Sequence, residues 1–230
     1  MLSEGKELRL LRKIYRTLLH VYGKQNWWPG ESDFEVAIGA ILVQRTSWRN
    51  VAKAITRLKE QNLIGCDKVL SITKARLIEL LRPVGMAELK AERLIRFSRL
   101  VYEKYGGSLQ GLLRLKNSRD LLLEVDGIGD ETADSILLYA GNRPYLPIGA
   151  YTRRCLERIG YRSRGYQEWQ ELAIKALPKS VDAYKEFHAL FVAHGKKVCR
   201  KQPLCRSCPL TELCSYASKE ATHSQGRSHS

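Results

Sequence analysis

Leu123-Glu124-Val125-Asp126-Gly127-Ile128-Gly129-Asp130-Glu131-Thr132-Ala133 sets two glycines, one residue apart, between two segments of helical pattern. A helix ending near Val125 meets the glycines, and a new helix begins at once. Glycine lacks a Cβ, so the backbone can turn sharply there and approach another surface closely. The N–H groups that open the second helix have no partners within it and suit a phosphate. Ile128, between the glycines, is expected to point inward and hold the two helices together. The same residues would also serve an ordinary hairpin of two helices.

Outward from this turn, helical periodicity recurs almost everywhere. Leu8, Leu11, Tyr15, Leu18, Leu19 and Tyr22 repeat at three and four residues and stop at Gly23. After Trp27-Trp28-Pro29-Gly30, residues 34–43 are nearly all apolar, as in a helix buried on every side. Ser47 is placed to cap the next helix, which carries Val51, Ile55 and Leu58 on one face. Further periodic stretches cover 74–81, 88–104, 118–124, 131–141, 150–159, 168–176 and 181–197. Strand-like alternation is nearly absent, so the expected class is all-α.

The composition of the 230 residues, 44% hydrophobic and 27% charged, excludes collagen, a long coiled coil and wholesale disorder. The longest uncharged apolar run, 36–43, is far short of the roughly 20 residues that span a bilayer. Charges at Glu4, Lys6, Glu7, Arg9, Arg12, Lys13 and Arg16 leave no signal-peptide core. An intracellular chain with no membrane partner is expected, in the cytoplasm or nucleoid of a prokaryote. Thirty-nine Lys and Arg against 24 Asp and Glu give a net charge of +15, which favours a polyanion such as nucleic acid. Residues 215–230 are rich in Ser, His and Lys and read as a disordered tail.

Four of the six cysteines crowd together as Cys199-x5-Cys205-x2-Cys208-x5-Cys214, while Cys66 and Cys155 stand apart. In a reducing compartment such a cluster holds metal, either a tetrahedral zinc or an iron–sulfur cluster. Cys66 and Cys155 are expected as small buried hydrophobes.

The glycine hairpin and the cysteine loop, in this order and about seventy residues apart, resemble the endonuclease III family of helix-hairpin-helix DNA glycosylases. The likeness runs from about Tyr15 to Cys214 and includes Leu42-Val43-Gln44-Arg45-Thr46 and Gly85-Met86-Ala87-Glu88-Leu89-Lys90-Ala91. It implies a two-lobed all-α fold and a [4Fe–4S] cluster on Cys199, Cys205, Cys208 and Cys214. The family's first cysteine gap is usually six residues, and here it is five. The expected lobes are a helical bundle over 26–133 and a cluster domain formed by 1–25 with 134–214.

Within the family the chain is most similar to the 3-methyladenine glycosylase branch. Trp27, Trp28 and Pro29 resemble one aromatic wall of that branch's base pocket, Trp48 matches an aromatic on the opposite wall, and Lys196 matches a lysine nearby. A flipped purine is held by stacking on such faces, and a cationic alkylpurine gains a cation–π attraction. Gln44 matches the side chain that enters the gap left by an extruded base, and Lys90 a phosphate-contacting position. Gly127, Gly129 and Thr132 belong to the DNA-binding hairpin. The resemblance thus implies a monomer acting on double-stranded DNA that contains a damaged base, most simply an alkylated purine.

Two positions depart from the family pattern. Strand-cleaving members carry a lysine four residues past the first hairpin glycine, and its amine forms a Schiff base with the sugar. Here that position is Glu131, which cannot form an imine and is the nearest candidate for a substitute catalytic carboxylate. The family's catalytic aspartate, written V-D-x-x-x-R-R, falls on Gly149 of Ile148-Gly149-Ala150-Tyr151-Thr152-Arg153-Arg154. A slow glycosylase without lysine-dependent lyase activity and a catalytically dead lesion-binding protein both follow from that loss. An endonuclease III-type glycosylase and lyase is a more distant alternative.

Overall fold

The structure, a computed structural model, describes residues 3–218. In chain order its helices are α1 (Glu4–Tyr22), α2 (Asp33–Leu42), α3 (Trp48–Glu60), α4 (Cys66–Leu70), α5 (Lys74–Leu81) and α6 (Ala87–Tyr105). They are followed by α7 (Leu109–Leu113), α8 (Ser118–Leu123), α9 (Asp130–Ser135), α10 (Ala150–Ile159), α11 (Tyr166–Ala176) and α12 (Val181–Lys197). No strand occurs among the described residues, in keeping with the all-α expectation. None of these helices is long and apolar enough to cross a membrane.

The chain forms two compact units, one of Met1–Trp27 with Leu146–Ser230 and the other of Trp28–Tyr145. The second is built around α2. After Glu35 this helix has no charged residue, and every side from Phe34 to Leu42 is buried. Ser32 Oγ accepts the Glu35 N–H at 3.2 Å and starts the helix. Around α2 pack α3, α6, α7 and α9. Leu58, Leu94, Phe97 and Val101 are all 0% exposed in this core, each contributing on the order of 1.5–3 kcal/mol of burial. The five-residue helices α4 and α7 have no counterpart in the sequence reading. They are too short for a 3.6-residue period to register, and α4 is held by packing on α6.

Helix α9 does not stop at its α-helical end but runs into a π-helical turn, Ile136–Ala140. Ile136 and Leu137 are fully buried in the same core as α2. Residues 134–145 therefore lie with Trp28–Tyr145, although the boundary expected from sequence fell at 133. Gln25 and Asn26 lie in the other unit, where their backbone N–H groups donate to the Glu186 carboxylate at 2.8 and 3.0 Å.

That unit joins α1 to α10, α11 and α12. Leu11, Ile14 and Leu18 on α1 share its interior with Trp169, Phe187 and Phe191. Polar ties fix the ends: Arg12 Nε donates to the Ala176 carbonyl at 3.0 Å, and Tyr161 donates to the Glu7 carbonyl at 2.7 Å. Arg164 pairs with the buried Glu7 carboxylate at 2.7 Å. The start of the expected disordered tail is ordered instead, since residues 215–218 form a helical turn. Ser215 Oγ donates to the Ile159 carbonyl at 2.8 Å, the Arg158 guanidinium lies over Tyr216, and Ala217 is buried. The remainder, 219–230, is outside the described residues.

Candidate functional site

The glycine hairpin lies in the Trp28–Tyr145 unit between α8 and α9. Ile128 is 3% exposed and anchors the turn in the core, as its place between the glycines implies. The two glycines have different jobs. Gly127 has φ +89 and needs a residue without a side chain, because Arg93 lies where a Cβ would stand. Gly129 is extended (φ −95) and exposed, and a Cβ there would meet nothing within 4 Å. Across the hairpin, Arg119 on α8 reaches α9, with Nε 2.7 Å from the fully buried Asp134 carboxylate and Nη2 2.6 Å from Asp130. Those hydrogen bonds, Asp134 first, raise the guanidinium pKa further.

Gln44 sits just past α2 and is joined to this hairpin. Its Nε2 donates to the Gly127 carbonyl at 3.0 Å and to Thr132 Oγ1 at 3.1 Å, and its Oε1 accepts Arg93 Nη1 at 2.6 Å. A side chain expected to project as a wedge is therefore folded onto the hairpin in the free protein. Arg93, absent from the sequence reading, both fills the space over Gly127 and orients Gln44. Lys90 also departs from expectation. It is 0% exposed, and its ammonium donates to the Val84 carbonyl at 2.8 Å. Burial, with Arg93 adding repulsion, pulls its pKa to about 8. The expected phosphate contact thus becomes an internal tie across the turn before α6, because that turn leaves a carbonyl for an amine to satisfy.

Trp28 and Trp48 meet on the same unit, edge to face, with ring centroids 5.1 Å apart and planes at 83°. Trp28 also lies 5.0 Å from Tyr139, on the π-helical turn. Gly39 of α2 lets both indoles approach, since a Cβ there would stand 3.2 Å from each. Rings in contact leave no slot between them, so Trp28 and Trp48 do not form two facing walls. Pro29 follows as an exposed residue. Trp27 belongs to the other unit, where it stacks on His188 at 5.7 Å and 24° and carries the Lys196 ammonium 5.9 Å from its ring centroid. Desolvation lowers the Lys196 pKa, and burial with Lys196 nearby pulls His188 to about 4.

Glu131 is exposed on the first turn of α9. Gly149 is the buried residue before α10, with φ −81 and ψ 169, an extended conformation open to any L-residue. No side chain caps α10 at that point.

The cysteine loop closes the Met1–Trp27, Leu146–Ser230 unit. Cys199, Cys205, Cys208 and Cys214 line one small pocket, which Cys155, Arg158 and His194 also line. No disulfide joins the six cysteines. Two arginines of α10 hold the loop: Arg154 donates to the Cys199 carbonyl at 2.7 Å and the Gly195 carbonyl at 3.2 Å. Arg158 donates to the carbonyls of Arg200 and Lys201 at 2.6 and 2.8 Å and to Cys199 Sγ at 3.4 Å. Hydrogen bonds from Cys155, His194 and Arg158 hold the Cys199 thiol below its ordinary pKa. Four sulfurs around one cavity, with donors aimed at them and Leu210 the loop's main buried apolar residue, fit a thiolate-bound metal centre.

The described residues thus form two all-α units, one with a glycine hairpin whose backbone is exposed and one closed by a four-cysteine loop. The chain belongs to the HhH-GPD superfamily of base excision DNA repair proteins, whose family model matches residues 38–179. It is 45% identical over 218 residues to a Methanocaldococcus jannaschii protein provisionally named a DNA repair glycosylase, covering 93% of this chain and 99% of that one. The fold is that of an endonuclease III solved in a non-covalent complex with DNA, with TM-score 0.83 and 22% identity over 96% of this chain and all of that one. A 3-methyladenine DNA glycosylase of H. pylori, solved with 1,N6-ethenoadenine, matches with TM-score 0.72 and 27% identity, over 85% of this chain and 98% of that one.

Proposed function

We propose that this chain, a DNA repair glycosylase of the HhH-GPD superfamily, removes alkylated purines from duplex DNA as a monomer and without lysine-dependent strand cleavage. Cys199, Cys205, Cys208 and Cys214 would hold a [4Fe–4S] cluster that cross-links residues 198–214, and the exposed Arg200, Lys201 and Arg206 between them face DNA. Exposed backbone at Gly127 and Gly129 receives a phosphate. Gln44 leaves Gly127 and Thr132 to fill the gap in the duplex, and Arg93 guides it. An extruded base stacks on the half-buried indoles of Trp28 and Trp48 once these part from their edge-to-face contact.

The observation that carries the substrate class is Gly149. A carboxylate at that position would stabilise the developing sugar cation, and its loss costs on the order of 10²–10³-fold. An N3- or N7-alkylated purine is already cationic and leaves as a neutral base, so positioning and desolvation suffice for slow release. The H. pylori neighbour, named a 3-methyladenine DNA glycosylase, supports an alkylated purine as the substrate. Glu131, exposed at the start of α9, supports hydrolysis without an imine and is the carboxylate nearest in role to the missing one.

The test is base release from duplexes carrying alkylated, oxidised or deaminated bases. Alkylpurine release by the native chain should be measurable but slow, and borohydride should trap no adduct through residue 131. Gly149→Asp should raise the rate by roughly 10²-fold, and its extended backbone presents no conformational obstacle. A well-folded Gly149→Asp protein that releases no base from any duplex would leave the second reading, a lesion-binding protein that has lost the chemistry. About four irons per chain are expected, and stoichiometric zinc after anaerobic purification from iron-replete cells would sink the cluster assignment.

A further inference from the structure

Groups outside the four loop cysteines converge on two of the loop sulfurs. Cys155 Sγ, Cys199 Sγ and a ring nitrogen of His194 all lie within 4.8 Å of one another, and all three residues are buried. Arg158 Nη1 is 3.4 Å from Cys199 Sγ, and His194 Nε2 is 3.8 Å from Cys208 Sγ. The other imidazole nitrogen, Nδ1, is 2.9 Å from the Tyr22 hydroxyl.

A cysteine sulfur that ligates iron carries lone pairs and no proton, so a polar group held against it must donate. That requirement decides the imidazole: Nε2 carries the hydrogen facing Cys208, Nδ1 is bare, and the Tyr22 hydroxyl donates to it. The Cys155 thiol and the Arg158 guanidinium are donors by nature toward Cys199. We propose that Cys155, Arg158 and His194, the last oriented by Tyr22, form a donor set on the Cys199 and Cys208 sulfurs that raises the reduction potential of the bound cluster. The proposal rests on the reading that the loop holds a [4Fe–4S] cluster. Reduction adds negative charge that spreads onto the ligand sulfurs, and hydrogen bonds to them stabilise the reduced state more than the oxidised one. The low dielectric of a buried site strengthens each such bond. Cys155, expected from sequence only as a small buried hydrophobe, is in this account a positioning and tuning residue.

The test is the cluster's midpoint potential, read by voltammetry on purified protein whose iron content has been measured first. Cys155→Ala should move the potential negative by about a tenfold change in the one-electron equilibrium, 59 mV by conversion. Cys155→Ser keeps a hydroxyl donor and should restore most of that shift. Tyr22→Phe, which removes one oxygen and leaves the ring, should shift the potential the same way by less. If Cys155→Ala does not fold, Tyr22→Phe carries the test by itself. Iron-loaded Cys155→Ala and Tyr22→Phe proteins with the native potential would overturn the proposal. So would a Cys155→Ser protein shifted as far as Cys155→Ala, since packing rather than donation would then be at work. A native chain without iron fails at the first measurement and removes the cluster reading itself.

Discussion

Replacing the two hairpin glycines one at a time should separate folding from DNA contact. Gly127 has φ +89, and a Cβ there would stand 2.6 Å from Arg93 Cδ. A non-glycine residue in left-handed backbone costs about 1–2 kcal/mol. Displacing Arg93 also breaks its 2.6 Å charged hydrogen bond to Gln44, worth roughly 1.5–3 kcal/mol when fully lost. Arg93 is flexible and half-buried, so part of that second amount is recovered, and Gly127→Ala should lose about 2–4 kcal/mol in all. Gly129 is extended and has open space where its Cβ would stand. Gly129→Ala should therefore be neutral or stabilising by up to ~1 kcal/mol, through a less disordered unfolded chain. Its methyl group would stand where a phosphate approaches, so binding should weaken without sequence preference. Losing one phosphate contact should flatten the plot of log affinity against log salt by about 0.9. Urea unfolding followed by circular dichroism measures the first effect, and fluorescence anisotropy of a labelled duplex over a salt series the second. Equal destabilisation by the two substitutions, or a stable Gly127→Ala protein, would refute the division of labour.

Two other substitutions probe the same unit. Asp134→Asn leaves Arg119 without its buried partner and should destabilise by about 3 kcal/mol, whereas Asp130→Asn, at a more exposed pair, should cost under ~1 kcal/mol; paired urea titrations check the contrast. Lys90 has a pKa of about 8 in the fold, against ~10.4 in an unfolded chain. Between those values the unfolded chain binds more protons, so the native protein should gain stability relative to Lys90→Met as pH rises from about 8 to 10.4. A constant difference across that range would show that Lys90 is not desolvated.

The helices were legible wherever a 3.6-residue period had room to repeat, as in α1, α6 and α12. The all-apolar run at 34–43 announced the central buried helix α2. The hairpin and the cysteine loop were legible because each is local: their residues lie within sixteen positions of one another, and spacing alone brings them together. Even so, sequence treated Gly127 and Gly129 alike. Only the backbone angles and the position of Arg93 told them apart.

The residues placed wrongly from sequence were decided by contacts that local spacing does not encode. Lys90 matched a phosphate-contacting position by family resemblance, and the fold buried its ammonium against the Val84 carbonyl six residues back. Gln44 meets the hairpin 83 residues away, and Arg119 reaches across it to Asp134. Cys155 stands beside Cys199 because α10 packs on α12. Composition, periodicity and local spacing determined the all-α class, the positive charge and the clustering of four cysteines, since hydrophobic pattern and residue spacing act over a few residues. Tertiary structure alone decided which polar atoms face which, because hydrogen bonds between helices depend on how whole apolar faces dock, and no local stretch of chain carries that information.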